Sequence, residues 1–330
     1  MGRIPSGCVA WLHRVQVILS CAIAAVRCPY AAAMNAGLHS MVTLRQATRI
    51  INGTVESDTT AKYSFFALPT HSRDSDVWLG CGASIISPTF GLTAAHCFGG
   101  GDNPCSNSRD IALWLGDLEL SAGRVVPKRG GRSARVEATR ICHPMFDGKC
   151  SHGHDIVLLR LSSKLPAWVT PVPVDLGFPA ADAGDPMISI GYGYTETEAD
   201  PTVIGGVSRD LRSAGLVMLD LSAQSCARVF AGGFGCSDEA SESPAKNTDQ
   251  QLCLGSPPST FRDTCSGDSG SPLLSSSGVQ VGIVSYGGGP GEKVSGPGRM
   301  CGDPAYPGVY SRVAAFASFI QEHVPEVLTS

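Results

Sequence analysis

Apolar residues cluster in short runs that are separated by turn-forming residues. Ser84-Ile85-Ile86, Ile111 to Leu115, Ile156 to Leu161, Met187 to Gly191, Leu216 to Leu219, Val279 to Tyr286 and Gly308 to Val313 each predict a strand. Only the end of the chain predicts a helix. From Val313 to Val327, the spacing of Phe316, Phe319, Ile320 and Val324 puts four apolar side chains on one face. Glycine (39 residues) and proline (22) are frequent, while charged residues make up only 16% of the 330, which fits a turn-rich all-β protein.

The first 49 residues follow another pattern. They hold five arginines (Arg3, Arg14, Arg27, Arg45, Arg49) and no acidic residue. A 12-residue apolar run from Val15 to Val26 follows Arg14, with Ala31, Ala32 and Ala33 beyond it. The run is too short for a membrane span and predicts a secretory signal over residues 1–33, with an organelle transit peptide as the alternative. Met34 or Met41 as the true start stays open. Without residues 1–49 the charge changes from 25 − 29 = −4 to 20 − 29 = −9, a poor balance for a general nucleic-acid binder. Ten of the 13 cysteines follow residue 49, which in an exported protein predicts a disulfide framework.

Three motifs carry candidate chemistry. Asp263-Thr-Cys-Ser-Gly-Asp-Ser-Gly-Ser271 places a serine between glycines, so that a hydroxyl nucleophile stands beside backbone N–H groups free to point at a ligand. Alone, such a stretch is also a common small-residue turn. Upstream lie Thr93-Ala-Ala-His96-Cys97 and His154-Asp155-Ile-Val-Leu-Leu-Arg-Leu161. An imidazole, with a pKa near ~6.5, can take a proton from the serine and return it.

The order His96, Asp155, Ser269 with these flanks resembles the chymotrypsin/trypsin family of serine endopeptidases, over roughly residues 50–326. The resemblance implies two six-stranded antiparallel β-barrels with the active site in the cleft between them, plus the C-terminal helix. It implies a catalytic triad of His96, Asp155 and Ser269, and an oxyanion hole built from the N–H groups of Gly267 and Ser269. Ser285 resembles the serine that supports the triad aspartate. Arg49-Ile50-Ile51-Asn52-Gly53 resembles the family's activation site, which makes 34–49 an activation peptide and 50–330 the protease domain. Cutting after Arg49 would free an amino group on Ile50 to pair with Asp268.

Asp263 falls where trypsins carry the carboxylate at the base of the S1 pocket. Together with Ser285, and with Gly287 and Gly308 as the open walls, it forms the implied substrate-binding set. The implied partners are protein or peptide substrates with Arg or Lys at the cleaved position, and protein inhibitors. The implied molecule is a secreted, extracellular monomer with no cofactor. A catalytically silent homologue acting as a binding module is the alternative, against which stand the intact triad and activation site.

The same resemblance implies bridges Cys81–Cys97, Cys226–Cys253 and Cys265–Cys301. Met187 and Ser275 stand where another family bridge would have its two cysteines. The pairing of Cys105, Cys142, Cys150 and Cys236 stays open; Cys142 with Cys150 across a short loop is one possibility. Cys142, His143, Cys150, His152 and His154 have spacings that suit zinc, but exported cysteines prefer disulfides, and no metal is expected. Arg124, Lys128, Arg129, Arg132 and Arg135 read as a basic loop, solvated or bound to an anionic partner. Arg124 and Pro127 replace acidic calcium ligands of some relatives. Asn52-Gly53-Thr54 fits a glycosylation sequon. Tyr286 replaces the family's usual tryptophan on the groove floor, and long segments after Gly287 and between Cys226 and Cys253 predict narrow substrate choice.

Overall fold

The computed structural model describes residues 50–72, 74–99, 110–177, 182–195, 206–231, 244–287 and 301–327. The expected signal and activation peptides, Cys105, Cys236 and the segment 288–300 lie outside them. Among the described residues no helix is long and apolar enough to cross a membrane.

The first half carries β1 (Thr54–Val55), a short helix α1 (Thr59–Lys62), β2 (Phe66–Pro69), β3 (Ala83–Ile85), β4 (Phe90–Thr93) and β5 (Ile111–Gly116). It continues with β6 (Leu118–Ser121), β7 (Arg124–Pro127), β8 (Ser133–Cys142) and β9 (Val157–Leu161). Six of these close into an antiparallel barrel in the order β2-β3-β4-β9-β8-β5. Leu68, Ile85, Leu92, Leu113 and Leu158 are fully buried and fill its interior.

The second half contains β10 (Pro186–Gly191), β11 (Arg212–Met218), α2 (Gln224–Ala231), β12 (Gln251–Gly255), β13 (Pro272–Ser275), β14 (Gln280–Tyr286), β15 (Gly308–Arg312) and α3 (Ala317–His323). Its sheet runs β1-β11-β10-β13-β14-β15-β12, and the added pairing of β11 with β12 closes six strands into a second antiparallel barrel. Closure removes the exposed edges that an open sheet presents. Met187 and Ser275, the positions of the absent family bridge, are direct cross-strand partners.

The barrels are tied together by buried polar groups. Ser84 Oγ of β3 donates to Gln280 Oε1 of β14 at 2.7 Å, and both residues are fully buried. Gln280 also exchanges backbone hydrogen bonds with Pro173 and Asp175 of the connecting segment. The C-terminal element packs Phe316, Phe319, Ile320 and Val324 into the first barrel's core.

Three expectations are corrected. The C-terminal helix is shorter than 313–327: a 3₁₀ turn at Val313–Phe316 leads into α3, which stops at His323. Pro325 disfavours a helical Val324 and ends it. The end of the chain is not the sole helix, since α2 buries Cys226, Val229 and Phe230 at helical spacing within only eight residues. The basic stretch is only partly a loop: Lys128, Arg129 and Arg132 lie in the turn between β7 and β8, but its two ends are strand. Arg124 lies in β7 and Arg135 in β8, with Val125 and Val136 buried on the opposite face. Arg124 pairs with Asp76, and Lys128 with Asp210 at 2.7 Å, so part of its charge is matched locally.

Candidate active site

His96 stands in a 3₁₀ turn, Ala95–Phe98, that follows β4; the Cys81–Cys97 disulfide anchors this turn. Asp155 lies two residues before β9 and is fully buried. The His96 main-chain N–H donates to Asp155 Oδ1 at 2.9 Å, and its ring Nδ1 lies 2.8 Å from Asp155 Oδ2. With Nδ1–H donating to the carboxylate, Nε2 is left as a proton acceptor. Two serines of the second barrel complete the clamp: Ser285 Oγ donates to Asp155 Oδ2 at 2.6 Å, and Ser311 Oγ to the Asp155 carbonyl at 2.9 Å. Burial alone would raise the Asp155 pKa. The nearby His96 charge and the hydrogen bonds from His96 and Ser285 outweigh it and hold the carboxyl below the ordinary aspartate range.

Ser269 enters from the turn before β13. It lines the same cleft as His96, a space of about 250 Å³ that reaches down to Asp263, Gly287 and Gly308. No direct hydrogen bond joins His96 to Ser269, and contacts of this kind often tighten only around substrate. Gly267 adopts φ +94, a backbone state costly for other residues, which turns the loop so that its N–H and that of Ser269 make no hydrogen bond among the described residues. Donors in such a position can stabilise a developing oxyanion.

Asp263 forms the base of the cleft and is 6% exposed. Its oxygens accept from the N–H groups of Thr264 (2.8 Å) and Gly302 (2.9 Å). Burial dominates over these donors and pushes its pKa up to about 7. Gly287 and Gly308 face each other across the slot: a Cβ on Gly287 would come within 3.4 Å of the Gly308 Cα, and one on Gly308 within 3.2 Å of Asp263 Oδ1. A side chain on either would narrow the approach to the carboxylate.

These features, drawn from both barrels, coincide with a family-wide match. A family model described as Trypsin matches residues 51–320. The chain belongs to the trypsin family of serine proteases. Kallikrein-15 of Saguinus oedipus is 31% identical over 250 residues, spanning 73% of this chain and 80% of the relative. Trypsin iota of Drosophila melanogaster is 29% identical over 240 residues, 73% of this chain and 77% of its own. The solved structure of neuropsin, a serine protease expressed in the limbic system of mouse brain, superposes with a TM-score of 0.58 at 25% identity. It covers 83% of this chain and 99% of its own. This trypsin-family protein is a serine endopeptidase.

All three expected bridges, Cys81–Cys97, Cys226–Cys253 and Cys265–Cys301, are present. Cys142 and Cys150 are both disulfide-bonded, but among the described residues no bridge joins one to the other. Cys142 packs against the first barrel's core, whereas Cys150 is buried with Cys226 and Cys253. The nearby histidines are engaged elsewhere: His143 stacks on His154 at 4.8 Å, and His152 Nδ1 contacts Asp147 at 2.7 Å. Burial, reinforced by the neighbouring His154, lowers the His143 pKa to about 4.

Asp268 is fully buried in a cradle of glycines that the sequence motifs did not single out. Its Oδ1 accepts from the Gly193 N–H at 2.8 Å and its Oδ2 from the Cys265 N–H at 3.0 Å. A Cβ on Gly191 or Gly193 would stand 2.1 or 2.4 Å from its carboxylate. The Gly191-Tyr192-Gly193 alternation at a strand end was the available signal, since glycine there often marks close backbone approach. Burial raises the Asp268 pKa to about 7. Ile50 is also fully buried, within the second barrel's core.

A second unanticipated arrangement lies under the groove. The Tyr286 hydroxyl donates to Gln251 Oε1 at 2.8 Å, and Gln251 Nε2 donates to the Ser151 and Lys246 carbonyls. The smaller phenol therefore gains a polar anchor. The buried Ser271 side chain is accommodated because its neighbours are Gly82 and Gly191.

Proposed function

We propose that this endopeptidase is made as a secreted zymogen, is activated by cleavage after Arg49, and hydrolyses peptide bonds that follow Arg or Lys. The observation that carries the reading is the buried Asp263 at the base of the cleft that Ser269 and His96 line. A desolvated carboxylate that has no cationic side-chain partner among the described residues is complementary to a substrate side chain ending in one.

In the reaction, His96 Nε2 takes the Ser269 proton as Oγ bonds to the scissile carbonyl carbon. The N–H groups of Gly267 and Ser269 hold the oxyanion that forms. Asp155 keeps the ring in the required tautomer and stabilises the imidazolium. His96 then returns the proton to the leaving amine as the C–N bond breaks, which leaves an acyl-enzyme on Ser269. Water, deprotonated by His96, attacks the ester and releases the acid with Ser269 restored.

Activation follows from Asp268. A new ammonium on Ile50 would supply the charge that this buried carboxylate lacks among the described residues, and their pairing would stabilise the Gly267–Ser269 turn. Secretion is supported by the apolar run before Ala33 and by the bridges.

The test is a substrate panel with Arg, Lys, Phe, Leu or Ala at the cleaved position, using protein cut after Arg49 and Ser269→Ala as control. Turnover confined to Arg and Lys and absent from the control is the expected result. Activity on Phe or Leu refutes the pocket assignment. Silence from a protein shown to carry the Ile50 terminus points to a binding module instead.

A further inference from the structure

Asn52 is exposed and belongs to neither the triad nor the cleft, yet the amino group of its side chain has two carbonyl partners. Its Nδ2 donates to the carbonyls of Thr260 (3.0 Å) and Phe261 (3.2 Å), more than 200 residues away in sequence. The residue sits at φ 53, which asparagine tolerates better than most, in a tight turn closed by the Gly53 N–H on the Ile50 carbonyl.

The partner segment immediately precedes Asp263. Ser259 and Phe261 both have positive φ, and the Phe261 side chain is 55% exposed, so apolar packing does little to hold them. The Phe261 carbonyl also abuts Gly302: a Cβ there would meet it at 2.8 Å and Ile51 Cγ2 at 3.0 Å. Gly302 in turn donates its N–H to Asp263 Oδ2. Asn52 thus reaches Asp263 by two routes, along the chain from Phe261 and across the Gly302 contact.

We propose that Asn52 is a positioning residue for the cation pocket, a latch by which the start of the protease domain holds the base of that pocket in its binding geometry. Loss of the latch leaves segment 259–262 with its local bonds to Ser256 and Pro257 but unties it from the start of the domain. The segment can then shift as a unit and misaim the Gly302 donor at Asp263. A glycan at Asn52-Gly53-Thr54 would replace one of the two N–H hydrogens of this amide and leave it a single donor. Glycosylation and the two-bond latch therefore exclude one another. The inference rests on the assignment of Asp263 as the cation-binding carboxylate.

The test uses the full-length protein cleaved after Arg49, with the Ile50 terminus verified. Binding of p-aminobenzamidine probes the pocket, and acylation of Ser269 by p-nitrophenyl acetate, a small neutral ester, probes the catalytic turn. Asn52→Gly removes the donors without a backbone penalty, Asn52→Asp keeps the size but cannot donate when ionised, and Thr54→Ala deletes only the sequon. Asn52→Gly and Asn52→Asp should each weaken the probe about tenfold and raise KM for an Arg peptide. In both, kcat and ester acylation should move less than about threefold, while Thr54→Ala tracks the wild type. Probe affinity within twofold of wild type in Asn52→Gly overturns the latch, as does an equal loss in ester acylation. A wild type that acylates but does not bind the probe refutes the Asp263 assignment, and the latch with it.

Discussion

The first barrel supplies Asp155 to the cleft and the second supplies Asp263 and Asp268; all three are buried, but their surroundings differ. Asp155 receives donors from His96, Ser285 and, at its carbonyl, Ser311, and its pKa is lowered. Among the described residues Asp263 and Asp268 receive only backbone N–H groups, and burial raises both to about 7. A buried carboxylate with an imidazole and a hydroxyl beside it is complete and stays charged. One with only amide donors is unfinished, and a cation entering its site gains what water no longer provides. The first barrel therefore holds a settled electrostatic support, while the second holds two carboxylates that, on the proposed reading, would receive a substrate cation at Asp263 and the Ile50 ammonium at Asp268.

The largest expected effect comes from breaking the settled site. Asp155→Asn should lower kcat by about 10⁴-fold, the size found when the carboxylate of a Ser-His-Asp triad becomes an amide, with probe binding at Asp263 retained. Next comes Asp263→Ser. It should reduce kcat/KM on Arg substrates by roughly 10³-fold or more while ester acylation of Ser269 persists, since a desolvated charge pair in the pocket is lost but the triad is untouched. An unchanged Arg/Lys preference would refute the second half of the comparison.

A subtler effect is legible in stability against pH. Asp268, near 7 in the folded chain against an unfolded value of ~3.9, stabilises fully below the unfolded value, and that contribution is lost as pH rises through the folded one. Asp263, also near 7, acts in the same sense, and His143, lowered to about 4 from ~6.5, acts oppositely, so absolute melting curves mix all three. The informative quantity is a difference. Relative to wild type, uncleaved Asp268→Asn should gain stability as pH rises from 4 to 8, on top of a constant cost for its amide facing an N–H donor. Cleavage after Arg49 should flatten that trend, because the ammonium then matches the carboxylate; an equal slope before and after cleavage would refute the pairing. The smallest effect is expected for Tyr286→Phe, which strands the buried Gln251 Oε1 and should cost about 1–3 kcal/mol in chemical denaturation.

The candidate catalytic side chains were legible in the sequence because each belongs to a local motif: His96 beside Cys97, Asp155 just before a strand, Ser269 between glycines. The strands of Ile111, Ile156 and Val279 were visible because both faces are buried and their apolar runs are dense. β7 and β8 were hidden by arginines on the outward face, and α2 by being only eight residues long. The Tyr286–Gln251 and Asn52–Phe261 contacts join residues 35 and 209 positions apart, and no local pattern announces such pairs.

The buried Ser84–Gln280 bond between barrels has a consequence for survival. Were one barrel to melt alone, the fully buried hydroxyl or amide left on the other would lose this partner. Half-molten forms are thereby disfavoured, and the two halves should come apart in a single cooperative step. Digestion by a neighbouring copy acts on opened chains. Coupling the barrels would deny such neighbours the partly open state they attack, and so would prolong the life of an enzyme surrounded by its own kind.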